Sequence, residues 1–121
     1  MIVAYWIVAA VLAAFYLYSG GLKVVRSKDQ LRPMMGWVDA LPMGFVRAIG
    51  LLEVLGALGL ILPPLTGILP WLALAAALGF VVVQLGGITL HLRRGEAKLI
   101  GLNLGALVAA GVGVWLATVW L

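Results

Sequence analysis

The hydrophobic positions of this sequence fall into four long runs separated by polar or proline-containing segments. About 20 apolar residues form a helix long enough to cross the ~30 Å hydrocarbon core of a bilayer. The pattern predicts membrane-spanning helices at residues 2–22, 45–62, 71–92 and 99–120. Residues 54–92 carry no charged side chain and are too many for one helix. We expect this stretch to be divided by four helix-breaking residues, which are Pro63, Pro64, Gly67 and Pro70.

Residues 23–44, between the first and second spans, form the only long connection. Its apolar residues recur at helical spacing, at Leu31, Met34, Met35, Val38 and Leu41. Pro33 and Gly36 argue against one long regular helix. We therefore predict a short amphipathic segment that lies on the membrane interface, with Trp37 as an anchor at headgroup level.

Composition supports an integral membrane protein with one domain, residues 1–121. The chain is 65% hydrophobic, and only eight basic and four acidic side chains are charged. A soluble domain of this size has too little interior to bury so much apolar surface. The predicted fold is all-α, a bundle of four transmembrane helices.

Charge and cysteine content exclude several function classes. The chain has no cysteine and a single histidine, so we expect no metal site and no covalently held cofactor. The net charge of +4 is small and lies beside the spans, which does not indicate a nucleic-acid-binding protein.

The basic residues predict the topology. All eight lie in or beside the first and third connections, or at the start of the second span. The positive-inside rule then places these two loops in the cytoplasm and both termini outside, in a multi-pass protein of the cell (inner) membrane. The residues expected at the membrane interface, as topology signals and lipid contacts, are Lys23, Trp37, Arg47, Arg93, Arg94 and Lys98.

Glu53 is the most informative single residue, because it lies about two helical turns inside the second span. A charge at such a depth costs on the order of 2.5–3.5 kcal/mol, so the side chain is expected to face a partner or a cavity. Folding the spans back and forth brings polar residues of all four to one depth, roughly 7–16 Å from the charged flank. The predicted ligand-binding set is Tyr16, Ser19, Glu53, Gln84 and Asn103 at this depth and His91 at the mouth above them, with Glu53 as the candidate catalytic group.

A purely structural interpretation of these polar groups remains open at this point. Glu53 would then pair with Lys23 or Arg47, or stay protonated and donate to Gln84, because polar side chains commonly join transmembrane helices. Glycines on the last three spans favour close helix packing and leave one small-residue face for a homo-oligomer.

Three stretches resemble the DoxX-like membrane proteins. They are Tyr-Leu-Tyr-Ser-Gly-Gly-Leu-Lys at 16–23, the glycine-rich segment around Glu53 at 49–63 with Thr-Gly-Ile-Leu-Pro at 66–70, and His-Leu-Arg-Arg-Gly-Glu at 91–96. Asn103 completes the pattern. The resemblance implies a four-helix bacterial membrane protein, of a superfamily whose members are associated with thiosulfate:quinone oxidation and respiratory complexes.

Two functions follow as hypotheses. In the first, the protein is an accessory subunit that binds a quinone- or lipid-like molecule for a redox partner subunit. In the second, it is a stand-alone membrane enzyme, an isomerase or hydrolase, that uses Glu53 as general acid or base on a small apolar substrate. A transporter is disfavoured because the outer half of every span is almost purely apolar.

Overall fold

Four helices in the computed structural model, which describes residues 1–121, are long and apolar enough to cross a membrane. The α-helices are α1 (Ile2–Val25), α2 (Lys28–Leu31), α3 (Met43–Thr66), α4 (Leu72–Arg93) and α5 (Gly101–Ala117). Short 3₁₀-helices cover Gly36–Ala40, Ala97–Leu99 and Thr118–Trp120, the last of which extends α5. The predicted all-α fold with four membrane-spanning helices is confirmed.

The four long helices form a closed ring in which each packs on two antiparallel neighbours. Helices α1 and α4 lie on one diagonal, and each of them packs against both α3 and α5. The core between them is a single apolar cluster. All twelve charged side chains belong to one end of the bundle, which we call the charged end, where α1 and α4 finish and α3 and α5 begin.

The connection between α1 and α3 is amphipathic, as its sequence pattern predicts. Leu31 of α2 and Val38 of the following 3₁₀-helix are fully buried against Leu22 and Val46 at the charged end. Met34, which shares the helical spacing, is instead 55% exposed. We call residues 26–42, which cover this end of the bundle, the interfacial segment.

Arg32 holds the interfacial segment together on its polar side. Its guanidinium contacts Asp29 at 2.7 Å and Asp39 at 2.9 Å. The hydrogen bonds that Arg32 donates to Asp29 and Asp39 raise the pKa of Arg32 above its ordinary value. The pair of contacts joins α2 to the 3₁₀-helix across the break at Pro33 and Gly36.

The prediction that Pro63 and Pro64 end the second span is wrong, because α3 continues through both to Thr66. Gly67 then ends the helix in a left-handed conformation, with φ of +73°. Proline has no N–H, so Pro64 leaves the carbonyl of Leu60, four residues earlier, without its helical donor. The hydroxyl of Tyr5 on α1 donates to that carbonyl at 2.5 Å. The other predicted span boundaries differ from the observed ones by at most three residues.

Replacing Tyr5 by Phe should destabilise the bundle by about 0.6–2 kcal/mol, since it leaves the Leu60 carbonyl without a donor in the interior of the bundle. Equilibrium unfolding in mixed micelles measures this change. Tyr18→Phe is the control, because Tyr18 is an exposed tyrosine on the same helix. In a Pro64→Ala background, residue 64 regains its N–H and the cost of Tyr5→Phe should shrink. Equal costs in both backgrounds would contradict the proline-based explanation.

Candidate functional site

Two glycines bring α1 and α3 into backbone contact near the charged end. A Cβ atom on Gly20 would lie 2.6 Å from the Gly50 carbonyl oxygen, and one on Gly50 would lie 2.5 Å from the Cβ of Lys23. Neither position therefore has room for a side chain. Lys23 of α1 and Glu53 of α3 each lie about one turn after the glycine of their helix, so the crossing places them side by side.

Lys23 and Glu53 form a buried ion pair across this crossing. The Nζ atom of Lys23 lies 2.5 Å from Oε1 of Glu53, and the two side chains are 8% and 1% exposed. The same ammonium donates to the Ser19 hydroxyl at 2.8 Å. Of the partners considered for Glu53 from the sequence, the structure selects Lys23. Buried charges of this kind are tolerated only when they are paired and hydrogen-bonded.

Arg47 does not pair with Glu53, which was the alternative that the sequence left open. Its guanidinium donates to the backbone carbonyls of Lys23, at 3.2 Å, and Val24. These carbonyls belong to the last turn of α1, which has no following helical N–H groups. Arg47 thus caps α1 with a positive charge, which also suits the dipole of the helix.

Trp37 covers the ion pair from the interfacial segment. Its ring lies over the Lys23 ammonium, 5.5 Å from Nζ to the ring centroid, and the side chain is half-buried. An aromatic face in this position attracts a cation. Its predicted contact with lipid headgroups stays a prediction.

A second polar cluster lies next to the ion pair and joins three spans. Asn103 on α5 donates to Gln84 on α4 at 2.9 Å, and Gln84 donates to the Tyr16 hydroxyl on α1 at 2.6 Å. The Tyr16 ring stacks on Phe80, with 3.8 Å between centroids and 3° between planes. Tyr16 and Ser19 are one turn apart on α1, so the two clusters adjoin.

Glycines also make room for this second cluster. A Cβ atom at Gly87 would lie 2.8 Å from Nδ2 of Asn103, and one at Gly56 would lie 2.7 Å from the ring of Phe80. Phe80 is the residue of the site that the sequence analysis missed. Its spacing of four residues from Gln84 places both on one face of α4 and was the signal available.

His91 belongs to neither cluster. Its Nδ1 atom lies 3.1 Å from Glu96, which also accepts from Arg94 at 2.9 Å. Arg94 in turn donates to the Gly36 carbonyl of the interfacial segment at 3.0 Å. The predicted set is thus divided into three groups. Ser19 and Glu53 belong to the ion-pair cluster, and Tyr16, Gln84 and Asn103 belong to the hydrogen-bonded chain. His91 stands apart in the last turn of α4, in contact with the α4–α5 loop. No group of three or more His, Asp and Glu residues that could hold a metal ion is present.

The fold and these clusters define a multi-pass membrane protein whose four-helix bundle carries polar groups inside one end. The model of the DoxX-like family matches residues 7–114, which is most of the chain, and the protein belongs to that family. No curated protein and no solved structure matches this chain.

Gly20→Ala should destabilise the protein by about 1–3 kcal/mol, because the added methyl group overlaps the backbone of Gly50 and forces α1 and α3 apart. The matched control is Gly21→Ala, since a Cβ at Gly21 has no neighbour within 4 Å. Unfolding in mixed micelles measures both. Equal stability of the two variants would show that the close crossing is not needed.

Proposed function

We propose that this protein binds a quinone- or lipid-like small molecule within the membrane, as an accessory subunit of a membrane redox system. The observation that carries the proposal is the hydrogen-bonded chain from Asn103 through Gln84 to Tyr16, which joins three spans beside the Lys23–Glu53 pair. Polar groups from all four spans at one level match a small polar headgroup better than they match a single helix–helix contact.

The chemistry of these groups suits a carbonyl-bearing headgroup such as a quinone. Tyr16 accepts from Gln84 through its oxygen, which leaves its own proton available to donate. Lys23 supplies a cationic donor at the same level. Asn103 is half-exposed and is the member of the chain that an incoming molecule would meet first.

The pairing of Glu53 favours binding over the enzymatic alternative. A general acid or base must exchange its proton with a substrate within hydrogen-bond reach. Oε1 of Glu53 is engaged by the Lys23 ammonium at 2.5 Å. The ion pair is better suited to hold the site in shape than to transfer protons.

Residue content supports the accessory role. The chain has no cysteine and one histidine, so in this proposal the electron-carrying centre belongs to a partner subunit. A homo-oligomer also stays a proposal, supported by open glycines such as Gly79 and Gly86 on the outer face of α4.

Mass spectrometry and absorption spectra of molecules that co-purify in mild detergent test the binding proposal. The site variant is Tyr16→Phe, which removes one hydroxyl and keeps the ring on Phe80. Tyr18→Phe is the matched control, because Tyr18 is exposed two residues further on. We expect a stoichiometric quinone with the wild type and the control, and at least a tenfold loss with Tyr16→Phe. Bulk phospholipid alone in the wild type would contradict the proposal.

The ion pair needs a separate variant in the same experiment. Glu53→Gln alone leaves the Lys23 ammonium buried without its partner, which destabilises a protein by about 3–5 kcal/mol. The double variant Lys23→Met with Glu53→Gln removes both charges and keeps the bundle neutral at this level. Loss of the quinone from a folded double variant supports a direct role of the pair, and full retention would assign the pair to packing.

We also propose the topology with both termini extracytoplasmic, in the inner membrane. The absence of cysteine allows single-cysteine labelling with a membrane-impermeant maleimide. Ile68→Cys, in the α3–α4 turn, should react in intact cells, and Ala97→Cys, in the α4–α5 loop, should react only after permeabilisation. Both residues are exposed, so accessibility within the fold is matched. The reverse pattern would invert the topology.

A further inference from the structure

The outer surface between α1 and α5 carries an apolar groove that the polar clusters do not use. A cavity of about 330 Å³ lies between Val11 and Phe15 of α1 and Gly101, Gly105 and Ala109 of α5. An adjoining cavity of about 260 Å³ continues it to Val112. Every residue that lines the two cavities is apolar or glycine. The glycines create the groove, because a Cβ atom at Gly101 or Gly105 would have no neighbour within 4 Å.

The length of the groove matches that of one lipid acyl chain in one leaflet of the membrane. From Gly101 to Val112 it follows α5 for eleven residues, which is about 16 Å along the helix axis. Half of the ~30 Å hydrocarbon core is similar in length. The groove begins at the charged end and ends near mid-membrane, so its occupant enters from the leaflet at the charged end.

Two basic residues flank the groove at the charged end. Lys98 precedes Gly101 by three residues, in the loop that leads into α5. Arg26 is the first residue after α1 and follows Phe15 by eleven residues, about three helical turns, so the end of α1 brings it to the side of the helix that bears the groove. Both side chains are exposed.

Lys98 and Arg26 form no ion pair within the protein. The four carboxylates of the chain are all paired with other residues, namely Glu53 with Lys23, Asp29 and Asp39 with Arg32, and Glu96 with Arg94. An apolar groove with two free cations at its mouth is complementary to a molecule that has a long apolar chain and an anionic head.

We propose that the α1–α5 groove is a specific site for an anionic phospholipid, with one acyl chain along Gly101 and Gly105 and the phosphate between Lys98 and Arg26. This site is separate from the Tyr16–Gln84–Asn103 chain, since no residue of that chain lines the groove. It does not depend on the proposed quinone-type ligand.

Native mass spectrometry of the intact protein in equimolar phosphatidylglycerol and phosphatidylcholine tests the apolar half of the site. Gly105→Leu fills the groove, and Gly111→Leu adds the same side chain to an open, exposed glycine of α5 that does not line the groove. The wild type and Gly111→Leu should retain one phosphatidylglycerol, and Gly105→Leu should lose it. Circular dichroism of all three confirms that the helices are intact.

The charged half is tested in the same mixture. Each of Lys98→Gln and Arg26→Gln should lower the preference for phosphatidylglycerol over phosphatidylcholine roughly fivefold, the factor that one basic residue contributes near an anionic lipid. Arg93→Gln is the control, because Arg93 is an exposed basic residue at the same end on α4. It should leave the preference unchanged.

Three results would overturn the proposal. The first is equal retention of phosphatidylglycerol by Gly105→Leu and Gly111→Leu, and the second is a wild type without preference between the two lipids. The third is a wild-type dimer that Gly105→Leu converts to monomers, which would assign the groove to a contact between two copies of the chain.

Discussion

The ion pair between Lys23 and Glu53 is the interaction on which the arrangement of the charged end depends. It exists only because Gly20 and Gly50 let α1 and α3 touch through their backbones. The crossing sets the register of the two helices, and the paired charges then exclude any register that separates them. Ser19 and Trp37 complete the surroundings of the ammonium, so that a costly buried charge contacts a hydroxyl, a carboxylate and an aromatic face.

The second polar cluster continues these specific polar contacts across the bundle. Helices α1 and α4 are diagonal and share little backbone contact, yet Tyr16 reaches α4 through both its ring and its hydroxyl. Gln84 in turn accepts a hydrogen bond from Asn103 on α5. The charged end is therefore held by specific polar contacts, whereas the middle of the bundle is held by apolar packing. A bundle built this way has one end of fixed geometry, which is the requirement for a binding site.

The helices could be predicted from the sequence because each span is long and apolar. The polar residues that share one level could also be predicted, because in antiparallel spans the number of residues from the charged flank gives the depth of each side chain. The sequence left the partner of Glu53 open, because the choice between Lys23 and Arg47 depends on a helix crossing that only three-dimensional packing defines. His91 was assigned to the site because it shares a face of α4 with Gln84, but it lies about two turns nearer the charged end and contacts Glu96 there. The boundary of α3 was predicted wrongly at Pro63 and Pro64. The helix continues through both, and for Pro64 the hydroxyl of Tyr5 on α1 takes the place of the missing N–H group.

The contacts of α3 with α1 have a consequence for biosynthesis. Helix α3 carries two groups that are unfavourable in lipid by themselves, the carboxylate of Glu53 and the carbonyl of Leu60 that Pro64 leaves without a donor. Both partners, Lys23 and Tyr5, belong to α1, which is synthesised earlier. When α3 leaves the translocon, its complement is already in the bilayer. Integration of the chain is then ordered, with α1 acting as the receptor for α3 and the α1–α3 hairpin forming before the last two helices arrive.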